Sequence, residues 1–279
     1  DDALALTQRR AIISAVLCWL PLLALSATQG QLLGGGVAVP FLLDIEVHVR
    51  FLVALPLLIG AEHIVHQRLG HIVRSFLDRH LIPDDQLARF EPAIASAMRL
   101  RNSIAAELLL FAFVYVVGTL ILWRHYTSLD VTSWYSNSPG PGLTLTPAGL
   151  WFGYVALPLF QFLLFRWYFR IAIWARFLWQ VSRIRLSLVP MHPDRVGGLG
   201  FLSGTAFAFT MLAAAHGALM AGQVANRIFF QGAALADFKY EIAVIVVFLL
   251  SLVIGPLFVF SGKLAAAKRL GLRRFGVLA

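Results

Sequence analysis

The sequence predicts an all-α polytopic membrane protein with about six transmembrane helices, several of them extended into the cytoplasm. Three observations lead there. Of 279 residues, 59% are hydrophobic and only 13% charged, and the mean hydropathy is +0.78, whereas a soluble domain carries about 25% charged residues. Apolar runs long enough to cross a bilayer recur along the chain. Lysines and arginines collect between alternate runs, as they do in cytoplasmic loops. This composition excludes a soluble globular enzyme, a disordered tail, a collagen and a disulfide scaffold, and the one cysteine, Cys18, lies in an apolar run.

In chain order, the first span is 11–28, after Arg9-Arg10. It lacks a small-x-small cleavage site and reads as a retained span, not a leader. Gly30 to Val39 is a loop holding Gly34-Gly35-Gly36, without the Lys and Ser/Thr of a phosphate-binding loop. The second span, 48–66, is the weakest, because its charge-free core between Arg50 and Glu62 is short. The remaining spans are 104–123, 148–165, 200–222 and 242–261. The external loop 125–147 is rich in turn residues.

Six spans with both ends inside place all of the 23 lysines and arginines on the cytoplasmic side except Arg50, Arg124, Arg227 and Lys239. A five-span arrangement strands Arg9 and Arg10 outside. The net charge of +9 is therefore a topology signal and a match to anionic lipid headgroups, and no nucleic-acid partner is expected.

Two helices outrun the bilayer. The patterns Val47–Leu81 and Pro92–Trp123 each predict roughly 50 Å of helix against a hydrocarbon core of about 30 Å. Pro92 is read as a first-turn residue. The whole chain, 1–279, reads as one transmembrane helical domain with cytoplasmic extensions at about 66–102, 166–190 and 262–279, trimmed at both ends.

Ionisable groups at membrane depth are functional candidates by default. Glu107, with Tyr115 further along its helix, and His216, with Thr205 and Gln223 at helical spacing, form a candidate polar path. Each has a plainer reading as a buried group bonded to a neighbouring helix. Glu62, His63 and His66 are candidates for pH sensing or metal binding, though their spacing matches no standard metal motif. No cofactor is expected; metal or haem would fall to His63, His66 or His216. Arg166, Arg170 and Arg176 alternate with aromatics, as in an interfacial belt or a lipid-headgroup site. His192, Asp194 and Arg195 lie in Pro190-Met191-His192-Pro193-Asp194-Arg195-Val196-Gly197-Gly198-Leu199-Gly200, read as a cytoplasmic gate or as an elbow held by an Asp194–Arg pair.

From Trp174 through this string to Leu202, the sequence resembles uncharacterised bacterial multi-pass inner-membrane proteins with a His-Pro-Asp-Arg-x-Gly-Gly-Leu-Gly loop. The resemblance implies a bacterial inner-membrane location and no catalytic residues. Three functions stay open: an oligomeric channel or transporter for a small ion with a basic cytoplasmic vestibule, a non-conducting scaffold, sensor or accessory subunit, and a membrane-embedded metal or haem redox enzyme.

Overall fold

The computed structural model describes residues 2–34, 36–123, 132–136, 145–190 and 192–275. Over these residues the chain is an all-α polytopic membrane protein. Its helices are α1 (Asp2–Thr28), α2 (Ile45–Asp78), α3 (Asp84–Arg101), α4 (Ile104–Gly118, with helical turns running on to Trp123), α5 (Pro147–Ser182), α6 (Leu199–Gln231) and α7 (Leu235–Arg273). Five of them are long and apolar enough to cross a membrane, and α3 with α4 makes a sixth if the bent pair is one span. Among the described residues β-pairing is limited to isolated bridges at Val39, Ser133, Ser136 and Leu145. Most of the turn-rich loop 125–147, and Gly35 of the glycine run, fall outside the described residues.

The weak second span is a full helix of 34 residues. The third departs from expectation. A single helix from Pro92 to Trp123 is replaced by two, meeting at 48°. Asn102 leaves helical geometry at φ −98°, ψ 14° while its N–H still reaches the Met98 carbonyl. Ser103 then stands where α4 begins. Asn and Ser side chains compete with helical hydrogen bonds and favour caps, so the pair is a natural break. Pro92 does not open α3 but lies within it. Asp84 and Asp85 occupy the first turn instead, where carboxylates complement the positive helix end. The bond that Pro92 cannot make would have gone to Ala88, an exposed residue.

Prolines elsewhere reshape the spans they interrupt. Ahead of Pro56, residues Val49–Ala54 widen into π turns, and the Leu55 N–H reaches five residues back to Arg50. Ahead of Pro158, Phe152–Ala156 do the same, with Leu157 bonded to Phe152. A proline ring collides with the carbonyl four residues earlier, and a wider turn relieves that contact. Pro256 sits in a tightened stretch, Gly255–Phe260. Helix α6 breaks at Phe209 (φ −96°, ψ 10°).

The chain divides into two compact units. The first comprises Asp1–His63, Ile104–Trp167 and Met211–Ile245. Its aromatic core joins Phe41 to Trp134 and Phe51 to Phe152 edge-to-face, with centroids 5.1 and 6.1 Å apart. Among these rings the buried Asp44 accepts from Trp134 Nε1 at 2.8 Å and Asn226 Nδ2 at 2.7 Å. Asp44 also caps α2 through the Val47 N–H, while Asn226 Oδ1 takes the Ile45 N–H at 2.9 Å. These bonds tie the α1–α2 connection to the end of α6. Lipid is as apolar as leucine, so such packing and bonding must stabilise the spans where hydrophobic transfer cannot.

The second unit comprises Ile64–Ser103, Tyr168–Thr210 and Val246–Ala279. Phe76 is its hub, with Phe201 5.0 Å, Phe90 6.0 Å and Phe260 6.4 Å away. The stretch after α5 is pinned by Ser187 N–H donating to the Leu81 carbonyl at 2.9 Å and by the Lys263 ammonium donating to the Ile184 carbonyl.

Candidate functional site

Three charged side chains separated in sequence converge within the first unit. Arg166 on α5 lies between two carboxylates, with Nη1 3.3 Å from Glu62 on α2 and Nη2 3.4 Å from Glu107 on α4. The side chains of Arg166 and Glu62 are about a third exposed and that of Glu107 45%. Helices α2 and α5 are each long and apolar enough to cross a membrane, and α4 is so only together with α3 as one bent span. A guanidinium has a rigid fork of donors and can serve two carboxylates at once. The group then carries one formal negative charge.

Local sequence explains why these residues meet. Glu107 is in the first turn of α4, where the positive helix end favours an acid. Trp167, beside Arg166, donates from Nε1 to the Leu58 carbonyl at 2.9 Å, holding α5 against α2 one turn before Glu62. Phe113 and Phe165 meet edge-to-face at 5.2 Å, and Phe111 and Phe162 at 6.2 Å, which locks α4 to α5. Tyr115 meets Phe111 with ring centroids 4.7 Å apart and planes tilted by 44°, and its hydroxyl donates to the Tyr154 carbonyl at 3.1 Å. That carbonyl would ordinarily accept from residue 158, a proline without an N–H.

The sequence reading had placed these residues in three separate groups: Glu107 and Tyr115 on a polar path, Glu62 with His63 and His66, and Arg166 with Arg170 and Arg176. The structure joins one member of each group. His63 is half-buried and His66 exposed on α2; Arg170 is half-buried and Arg176 exposed on α5. Among the described residues no three His, Cys, Asp or Glu side chains are grouped to hold a metal.

His216 is buried, with Nδ1 2.7 Å from the Leu212 carbonyl one turn earlier in α6. A carbonyl only accepts, so Nδ1 carries the proton in that contact. Gln223 is half-buried further along the helix and Thr205 is fully buried. The break at Phe209 separates Thr205 from His216, so their spacing does not extend one regular face.

The 190–200 string is an elbow, but an arginine does not hold it. Asp194 Oδ1 accepts from the N–H groups of Val196 (2.9 Å) and Gly198 (3.1 Å), and Oδ2 from Gly200 (2.9 Å). His192 Nδ1 lies 2.8 Å from Oδ1. Partial burial would raise the Asp194 pKa, but the amides of Gly200, Val196 and Gly198 and the His192 ring outweigh it and hold the carboxyl at about 2. Around it the backbone adopts left-handed φ at Arg195 (59°), Gly197 (67°) and Gly198 (97°), a conformation that glycine adopts without strain. Arg195 is exposed.

Asp44 escaped the sequence reading. The available signal was an Asp directly before a helical pattern, the position from which it caps α2. Set against protein-family models, curated proteins and solved structures, the chain matches none of them.

Proposed function

We propose that the protein is an oligomeric channel or transporter for a small cation in the bacterial inner membrane, with both chain ends cytoplasmic. The observation that carries this reading is the Glu62–Arg166–Glu107 group, built from two helices long and apolar enough to cross a membrane, α2 and α5, and from α4, the second half of the bent pair. Charges at membrane depth are costly and are kept where an ion or proton must be handled. Of the two carboxylates sharing the guanidinium, Glu107 is the more exposed. A proton or cation arriving at Glu107 replaces its share of Arg166, which stays paired with Glu62, so the group passes between net −1 and neutral. The arginine-rich stretches facing the cytoplasm form the basic vestibule, and their charge also suits anionic lipid headgroups.

Reconstitution into liposomes tests the reading. Proton or monovalent-cation flux above that of empty vesicles is expected, falling about tenfold or more in Glu107→Gln and Glu62→Gln. Flux no greater than in empty vesicles, or unchanged in both variants, overturns it.

One observation favours a second reading, that of a non-conducting accessory subunit or sensor. The most apolar window of α7 is entirely unburied within the chain, whereas α6 buries 44% of its own. A helix with no fully buried residue in that window, although Phe248 packs on Tyr168 at 5.8 Å, suits assembly with another membrane helix. Intact association with a partner, combined with absent flux, would select this reading.

A further inference from the structure

We propose that a cleft in the second unit, between α3 and the end of α5, binds a phosphate-bearing anion. The cleft has a volume of about 440 Å³ and is lined by Arg89, Ser96 and Arg99 from α3, by Trp179 and Gln180 from the last turn of α5 and by Arg183 just after it. The volume falls within the range of small-ligand sites, about 300–1,000 Å³. Arg89, Ser96 and Arg99 recur at spacings of seven and three and so share one face of α3. Gln180 and Arg183 bring further donors from the facing side.

Among the described residues, none of Arg89, Arg99 and Arg183 forms an ion pair with a carboxylate. The Arg183 guanidinium lies 4.9 Å from the Trp179 ring centroid, a stacking that orients the fork without neutralising it. Three guanidiniums held around one space repel one another, and a shared anion removes that repulsion. Guanidiniums pair with phosphate oxygens through two parallel N–H···O bonds, and the Ser96 hydroxyl and Gln180 amide add neutral donors. The exposed Trp179 ring forms an apolar wall for whatever the phosphate carries. The same chemistry is met by a soluble phosphate ester or by a phospholipid headgroup. The inference goes beyond the cation-transport reading and does not depend on it.

The test uses the full chain in nanodiscs of phosphatidylcholine. Binding of inorganic phosphate and of ATP is measured by calorimetry for the parent and for Arg99→Gln, Arg183→Gln, Arg99→Lys and, as a control outside the cleft, Arg9→Gln. Expected is saturable binding that weakens about tenfold or more in the two cleft Gln variants, is partly restored in Arg99→Lys, and is unchanged in Arg9→Gln. A second arm counts phosphatidylglycerol or cardiolipin retained through purification, by native mass spectrometry. Retention that drops in Arg99→Gln and Arg183→Gln, with no binding of phosphate or ATP, identifies a lipid headgroup as the anion. Equal losses in Arg9→Gln show general attraction to a basic chain and overturn the proposal. So does insensitivity of both arms to the cleft variants, provided that the variants keep the parent melting temperature.

Discussion

Arg166 and the arginines of the cleft are the same residue type in opposite circumstances. Arg166 divides its guanidinium between Glu62 and Glu107, whereas among the described residues Arg89, Arg99 and Arg183 form no ion pair with an acid. An arginine matched by acids on two other helices is part of what holds those helices in place. An arginine left unmatched contributes little to the fold and is free to meet an outside charge. Asp194 is an intermediate case, an anion satisfied by backbone amides and a histidine instead of a cation.

The sharpest way to break this contrast is to remove Arg166. Arg166→Gln leaves two carboxylates facing each other in an apolar setting and is expected to destabilise the protein by roughly 1–3 kcal/mol, moderated by the partial exposure of the group. Glu107→Gln, which leaves Arg166 paired with Glu62, should cost less. Thermal unfolding in detergent ranks the two, and equal losses would show that the pairing does not hold the helices.

Asp194 gives the next largest effect and a pH signature. Its carboxyl titrates near 2 in the folded chain against an ordinary 3.8. A lowered folded-state pKa stabilises above the ordinary value, and that contribution is lost as pH falls from about 4 towards 2. Protection from hydrogen exchange at Val196, Gly198 and Gly200, measured against the intrinsic rate at each pH, should therefore fall across that window. In Asp194→Ala exchange should be fast at neutral pH, with a stability loss of about 1–3 kcal/mol. Exchange that ignores both acid and the substitution would remove the carboxylate from its role as the clasp.

The smallest expected effect sharpens the comparison most. Arg99→Gln should change stability by no more than about 0.5 kcal/mol, because no internal partner is lost. A large fall in melting temperature would place Arg99 with Arg166, among the residues that hold the fold.

The spans were legible because hydropathy and the distribution of arginine are summed over many residues, so a few exceptions do not hide them. Even the weak segment ending at Glu62 was recovered, with the cations as guide. The break at Asn102-Ser103 was not, since two polar residues between apolar helices barely alter a hydropathy average, although their capping preference is local and readable. The grouping of Glu62, Glu107 and Arg166 was hidden for a different reason. Each residue was marked by its position in a span, but which faces of α2, α4 and α5 meet depends on packing that no single segment encodes. The Asp194 elbow was partly visible: the glycines announced the turn, while the backbone amides that replace the expected arginine could only be seen once the chain had folded.

Pro158 has a bearing on how the chain is built. It has no N–H to offer the Tyr154 carbonyl four residues earlier, and the Tyr115 hydroxyl of α4 donates to that carbonyl. Alone in a bilayer, α5 would lose this donor, which no lipid tail can replace. The donor lies on the helix synthesised before it, so α5 meets its partner as it enters the membrane. The order of synthesis thus matches the order in which these two helices come to need one another.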